Sequence, residues 1–239
     1  MKILTDIAGR TGLKQPRRRL SGGLIAGIMF PALFGLLALA YVSFVLWPRH
    51  LSEATDAPSL PIIIAGVGFN VPTQAIRREV QRHSGAQERI DLAFLWPTLK
   101  PPDRGRDRPV FSEEAVPIDR LFVTIAGSDG TLSAADRMKT IYPRYTAREL
   151  TAETEGLVAR AFGDTTPYKG EDLVFDPAAP EGFAARCTRP AATPGVCLLE
   201  RRIGAANVTV RFPRAWLQEW KEVSAGIDYL IATLRPPTR

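Results

Sequence analysis

Two cysteines, two histidines and a clustered set of arginines are the residues of this 239-residue chain whose types and spacing bear on chemistry. Cys187 and Cys197 flank TRPAATPGV, a proline-broken loop suited to bringing two strand ends together. In an oxidising compartment the pair is expected to form a disulfide, stabilising by about 3 kcal/mol through chain entropy. Free thiols and a metal site are the alternatives. A structural zinc takes three or four ligands, whereas His50 and His83 lie far along the chain, outside C-x-x-C or H-x-x-x-H spacing. No metal is expected.

Gly66-Val67-Gly68 sits where a phosphate loop would, after one predicted strand and before a predicted helix. It lacks a third glycine and an acidic partner for a ribose, so the pair reads as a bulge or a close-packing point, and no cofactor is expected. A hydrolase needs a nucleophile beside a base. No G-x-S-x-G occurs, and Gly127-Ser128-Asp129-Gly130 reads as a turn. Carboxylate-only chemistry through pairs among Asp91, Asp119 and Asp129 stays open, but nothing in the spacing selects a pair, and no catalytic residue is singled out.

The arginines form two groups: Arg77, Arg78, Arg82 and Arg89, then Arg186, Arg189, Arg201, Arg202, Arg211 and Arg214. A guanidinium fork suits carboxylates and phosphates, which in an envelope belong to lipid headgroups, peptidoglycan peptides or a partner protein, and the first group is the candidate interaction site. The plainer reading is that acidic neighbours balance them.

The elements that must position these residues begin with LSGGLIAGIMFPALFGLLALAYVSFVLW, residues 20–47, which carry no charged side chain. About 20 helical residues already cross the hydrocarbon core, so this run is read as a transmembrane helix in the lipid bilayer. Arg17, Arg18 and Arg19 flank one end, with Tyr41, Trp47 and Arg49 near the other. The cationic end stays inside by the positive-inside rule. A cleaved signal peptide is the alternative, yet the small-x-small site at Ala38-Leu39-Ala40 is followed by apolar YVSFVLW rather than a polar region. A buried core helix is the other. Gly23, Gly27, Pro31 and Gly35 recur four apart, a spacing that permits close helix packing and a possible homodimer.

Charge agrees with this division. The chain holds 31 Lys and Arg against 25 Asp and Glu, but six of those cations and one acid fall in residues 1–19, leaving the rest at +1. A nucleic-acid binder would carry its excess on the folded domain, so no nucleic-acid partner is expected. The expected organisation is a cytoplasmic basic tail at 1–19, the span at 20–47, a tether at 48–60 and a periplasmic domain at 61–239. The location is then the bacterial inner membrane, single-pass.

Within that domain the patterns predict a strand over 61–71, a proline-opened helix over 72–83 with Ile76 and Val80 on one face, and strands near 90–96 and 120–127. They also predict a helix from the N-cap Ser133 to about Tyr142, a second over 147–162, and a strand at 171–176. The cysteine strands and a hairpin follow, with its turn at 204–207 and Ile203 opposite Val208, Glu200 opposite Arg211. A helix from Pro213 to about Leu234 buries Trp216, Trp220, Val223, Ile227, Leu230, Ile231 and Leu234. The fold class is α+β, a mostly antiparallel sheet with packed helices, preceded by one transmembrane helix.

The strings NVPTQAIRREVQRHSGAQERIDLAFLWP (70–97) and RFPRAWLQEWKEVSAGIDYLIATLRP (211–236) resemble a family of small single-pass membrane-anchored bacterial envelope proteins. The resemblance implies an anchored envelope protein and brings no activity, ligand or catalytic residue. The functional expectation is a non-catalytic interaction or assembly module, with a periplasmic hydrolase or a small-ligand sensor as alternatives.

Overall fold

The computed structural model describes residues 35–39, 41–42, 58–103, 119–191 and 194–236. The chain divides into two units, Met1–Arg49 and His50–Arg239. In the first, residues 35–39 and 41–42 are helical and exposed, and Gly35 faces open space. The rest of the predicted span, with Gly23 and Gly27, lies outside the described residues, as do the basic tail and most of the tether. No helix among the described residues is long and apolar enough to cross a membrane.

The second unit is built on an antiparallel sheet of eight strands. They are β4 (Arg89–Leu95), β5 (Arg120–Gly127), β6 (Thr151–Ala152), β7 (Val158–Ala161), β8 (Glu171–Phe175), β9 (Ala184–Thr188), β10 (Val196–Ile203) and β11 (Ala206–Pro213). Their order is β4-β5-β11-β10-β9-β8-β7-β6. A second sheet pairs β1 (Ser59–Ile64) with β2 (Val67–Pro72) and β3 (Gly85–Ala86), so folded structure starts inside the expected tether.

Period-two alternation separates the faces of the large sheet. Ile90, Leu92 and Phe94, Leu121, Val123 and Ile125, and Val208, Val210 and Phe212 point inward and are buried. Leu60, Ile62, Ile64, Phe69 and Val71 of the small sheet join the same core, as do Val223, Ile227, Leu230 and Leu234 of α3 (Trp220–Thr233) and its end. Each of these α3 side chains contributes roughly 1.5–3 kcal/mol by leaving water. The contact is close: a Cβ added at Gly226 would stand 2.7 Å from the Trp96 ring. On the outer face α1 (Ala134–Thr140) and α2 (Tyr142–Tyr145) cover the β8–β10 region, where Tyr142, Phe162, Leu173 and Phe175 form a smaller core.

Several expectations need correction. The 61–71 strand is the β1–β2 hairpin, whose two turn residues, Ala65 and Gly66, both take positive φ, as a tight hairpin with right-handed strands requires. Gly66 is therefore a turn residue. The 72–83 helix is replaced by 3-10 turns at Thr73–Ala75 and Glu79–Gln81, because Ile76 bridges Leu92 at the edge of β4. Ile76 is fully buried, whereas Val80, its supposed helical partner, is 77% exposed. The 147–162 helix is instead β6, a turn with Glu155 and Gly156 at positive φ, and β7. The last hairpin pairs Ile203 with Ala206 and Leu198 with Arg211. That register differs by two residues from the expected one, a slip that preserves which side chains face the core.

Candidate functional site

Asp91 lies on the outward side of β4 between the core residues Ile90 and Leu92, yet it is only 5% exposed. With Thr73 it is one of two buried polar side chains among the described residues. Arg89 donates to its Oδ1 from Nη2 at 2.7 Å and from Nε at 3.1 Å. Thr124, its register partner on β5, donates to the same oxygen at 3.0 Å. Oδ2 accepts from Gln81 Nε2 at 3.3 Å and faces Arg78 Nε at 3.6 Å. The backbone locks the group in place: Asp91 N–H donates to Gln81 Oε1 at 3.0 Å and Arg77 N–H to the Asp91 carbonyl at 2.9 Å.

Burial pushes the Asp91 carboxyl pKa up, but the hydrogen bonds from Arg89, Thr124 and Gln81, together with the Arg89 charge, outweigh it and hold the group below the ordinary carboxylate value. The Arg89 guanidinium is raised in turn by its hydrogen bond to Asp91.

Arg77 stands next to this centre with its guanidinium 4.6 Å from the centre of the Phe122 ring. Phe122 is flanked in the sheet by Ala93 on β4 and Arg211 on β11, and Arg211 is exposed. Thr124 is likewise opposite Thr209. The outer sides of β4, β5 and β11 thus form a strip with hydroxyls along its middle and arginines around it. Of the four expected residues, Arg78 and Arg89 meet on Asp91 and Arg77 lies over Phe122. Arg82 turns instead to Glu79 at 3.5 Å, with its side chain largely buried.

The second arginine group is consumed internally. Arg186 meets Glu171 at 2.8 Å, Arg189 meets Asp172 at 2.8 Å and Arg201 meets Asp228 of α3 at 2.9 Å. Arg214 bridges Asp172 and Glu153, each at 2.9 Å. Burial lowers the Arg214 pKa, but these two carboxylates outweigh it and raise the group. Arg202 donates to Asn207 Oδ1 and the Thr131 carbonyl. Acidic or carbonyl neighbours balance these residues, as the plainer reading held. Arg211 is the exception and belongs to the outer strip.

Cys187 and Cys197 form a disulfide, directly opposite each other on β9 and β10 and both fully buried. No cluster of three His, Cys, Asp or Glu suited to a metal occurs among the described residues. The carboxylates Asp91, Asp119 and Asp129 do not converge. Asp119 lies five residues from Thr124, the partner of Asp91, about 16 Å along extended chain, and Asp129 lies past the end of β5 with its Oδ1 beside Gly127, three residues or about 10 Å from Thr124. Asp119 pairs with Arg120 at 3.3 Å, and Asp129 occupies a turn at positive φ. Sequence reasoning placed Asp91 opposite the core-facing residues of β4 but missed Phe122 and Gln81. The signal for Phe122 was the alternation of β5.

The fold is an α+β domain built on one large antiparallel sheet, stapled by a disulfide, with an arginine-rich strip on its outer side. Among solved structures it is similar to Smlt3025, an immunity protein of the Stenotrophomonas maltophilia type IV secretion system. The TM-score is 0.51 at 14% identity, over 75% of this chain and 94% of that one. It is also aligned with the Neisseria meningitidis iron-regulated outer membrane lipoprotein FrpD, at TM-score 0.39 and 9% identity, over 77% of this chain and 97% of that one. The first likeness is one of fold. No protein-family model and no curated protein matches the sequence.

Proposed function

We propose that the chain is a single-pass inner-membrane protein, N-terminus in the cytoplasm, whose exported domain is a non-catalytic interaction module of the cell envelope that docks a protein partner. The observation that carries this reading is the outer strip of β4, β5 and β11. It is a sheet surface outside the cover of α1 and α2, where Arg77, Arg78, Arg89 and Arg211 are exposed. Surface recognition of a macromolecule needs such a face rather than a deep pocket. The uncharged run at 20–47 and the positive charge before it support the anchor. A disulfide supports an oxidising compartment. A tether restricts the domain to partners near the membrane and so raises their effective concentration. Two copies of the strip would repel each other, so a homodimer would have to form elsewhere, as through Gly23, Gly27 and Gly35.

The test is a photo-crosslinking side chain placed at Thr209 in the full-length protein in living cells, with Arg144 on α2 as the comparison position. Expected is a discrete adduct from position 209 and none from 144; no adduct from 209 overturns the reading. A phosphatase fused after Arg239 should be active only if the C-terminus is exported. A second reading, an immunity role of the kind named for Smlt3025, takes support from the fold likeness. It predicts that a deletion strain loses viability when mixed with its own parent, and equal survival removes it.

A further inference from the structure

Resting on the reading that the domain docks a protein, we propose that the outer strip recognises a run of carboxylates on an acidic protein segment, and that Asp91 is the internal counter-charge that orients the arginines for it. The forks are available. Arg78 reaches Asp91 through Nε alone, at 3.6 Å, and its side chain is 69% exposed. Arg89 spends Nε and Nη2 on one oxygen, and its side chain is 54% exposed. Arg77 is held by attraction to the Phe122 ring, and neither it nor Arg211 has an ion pair among the described residues. Such groups take carboxylates two bonds at a time.

The spacing selects the ligand. Arg78 and Arg89 meet on Asp91, whereas Arg77 sits over Phe122 and Arg211 stands two strands away from β4, about 10 Å at about 4.8 Å per strand, so the guanidiniums are spread across the strip. A single phosphate dianion at the Arg78–Arg89 pair would sit against the buried Asp91 charge. Separate carboxylates on successive side chains fit on either side of it. Val80, two residues after Arg78 and 77% exposed, offers an apolar contact, and the mixture of arginine with one aromatic ring and one aliphatic side chain is that of a protein interface.

This arrangement makes a prediction whose sign differs from that of simple charge attraction. Neutralising Asp91 raises the positive charge of the strip, which for unorganised attraction would tighten binding to an anion. Where Asp91 organises the arginines, its loss frees Arg78 and Arg89 and weakens binding. The experiment uses the full-length protein in neutral detergent micelles and fluorescein-labelled deca-glutamate, read by anisotropy at two salt concentrations. A parallel arm uses phosphatidylglycerol vesicles. Expected are at least tenfold weaker peptide binding for the Arg77→Glu/Arg211→Glu variant, a several-fold loss for Asp91→Asn that still unfolds cooperatively, and less than twofold change for Arg144→Glu. The double reversal changes no side chain that contacts Asp91, the Arg77 contact being through its backbone N–H, and so tests the strip even where Asp91→Asn folds poorly. Peptide binding unchanged by the double reversal, tighter binding by Asp91→Asn, or arginine-dependent binding of vesicles without the peptide overturns the proposal. If the position-209 adduct persists while deca-glutamate binding fails, acid recognition falls alone. If that adduct is absent, the interaction reading falls with it.

Discussion

Asp91→Asn should cost about 2 kcal/mol of stability at neutral pH, and the structure says where the loss arises. The two Arg89 hydrogen bonds change from charge-assisted to neutral on the acceptor side, and each such change is worth roughly 1 kcal/mol. Arg89 and Arg78 are more than half exposed, so water replaces much of what they lose, and the charge contribution is taken at the low end of about 0–1 kcal/mol per pair. The amide nitrogen is the sharper problem. At the Oδ2 position it faces Gln81 Nε2, donor against donor, and Gln81 cannot turn over because its Oε1 already accepts from Asp91 N–H. One donor is left unmet, at about 1–3 kcal/mol, while removal of a buried charge offsets part of the total.

The pH dependence has a fixed sign. The Asp91 pKa is depressed in the folded protein, so its contribution is complete above the unfolded value of about 3.9 and is lost as pH falls through the lower folded value. Urea unfolding read by the fluorescence of Trp96, Trp216 and Trp220 should therefore show wild type and variant separated by a constant midpoint shift of about 1 M from pH 5 upward. The two should converge as pH falls below about 4 and through the depressed folded value. A variant within about 0.5 kcal/mol of wild type at pH 7, against the 1–3 kcal/mol expected for an unmet donor, or a gap that widens on acidification, would refute the reasoning.

Three further outcomes follow from other parts of the fold. Cys187→Ala/Cys197→Ala, or reduction of the wild type, should lower stability by about 3 kcal/mol in denaturant titrations, with both routes agreeing because the chain constraint is the common loss. Gly195→Ala should destabilise by about 2 kcal/mol in thermal melts, since its Cβ would stand 2.5 Å from the Thr188 carbonyl oxygen and 3.2 Å from Arg214 Cβ, where backbone must move. Arg214→Leu should cost about 3 kcal/mol by the same measurement, because it strands the Glu153 carboxylate and leaves Asp172 to Arg189 alone.

How legible these features were depends on how far each pattern runs. α3 was readable because Trp220, Val223, Ile227, Leu230 and Ile231 recur at helical spacing, long enough to define a stripe, although the expected start at Pro213 was early: Arg214–Glu219 is a 3-10 stretch and the α-helix begins at Trp220. The 72–83 helix rested on two apolar residues four apart after a proline, and two points do not fix a period. Ile76 is claimed by the edge of β4, which satisfies the backbone better there than a helix turn could. Over 147–162 long-range pairing of β7 with β8 overrides local propensity, with Glu155 and Gly156 at positive φ breaking any helix. In the last hairpin the alternation fixed the faces but not the partners. Gly204 at φ +56° selects a two-residue turn, and that choice sets the register.

The two arginine groups look alike in sequence and differ in the structure because acids are supplied unequally across the sheet. Glu171 and Asp172 on β8, Glu153 after β6 and Asp228 on α3 are delivered to Arg186, Arg189, Arg214 and Arg201 by strand pairing and by the crossing of the helix. At the other end of the sheet Glu79 and Asp119 pair with Arg82 and Arg120, and the carboxylate that meets Arg78 and Arg89 is Asp91, which is buried. Its depth is what matters: a surface acid would neutralise one arginine and move with it, whereas a fixed one orients Arg78 and Arg89 while leaving their outer N–H groups to a partner. Arg211 enters this set from the far end of the chain only because β11 lies beside β5, a neighbour relation that no local spacing encodes. The charge that is spent inside the fold and the charge that is available outside it are thus separated by topology, and the exposed share collects where strand pairing brings no acid opposite Arg77 and Arg211.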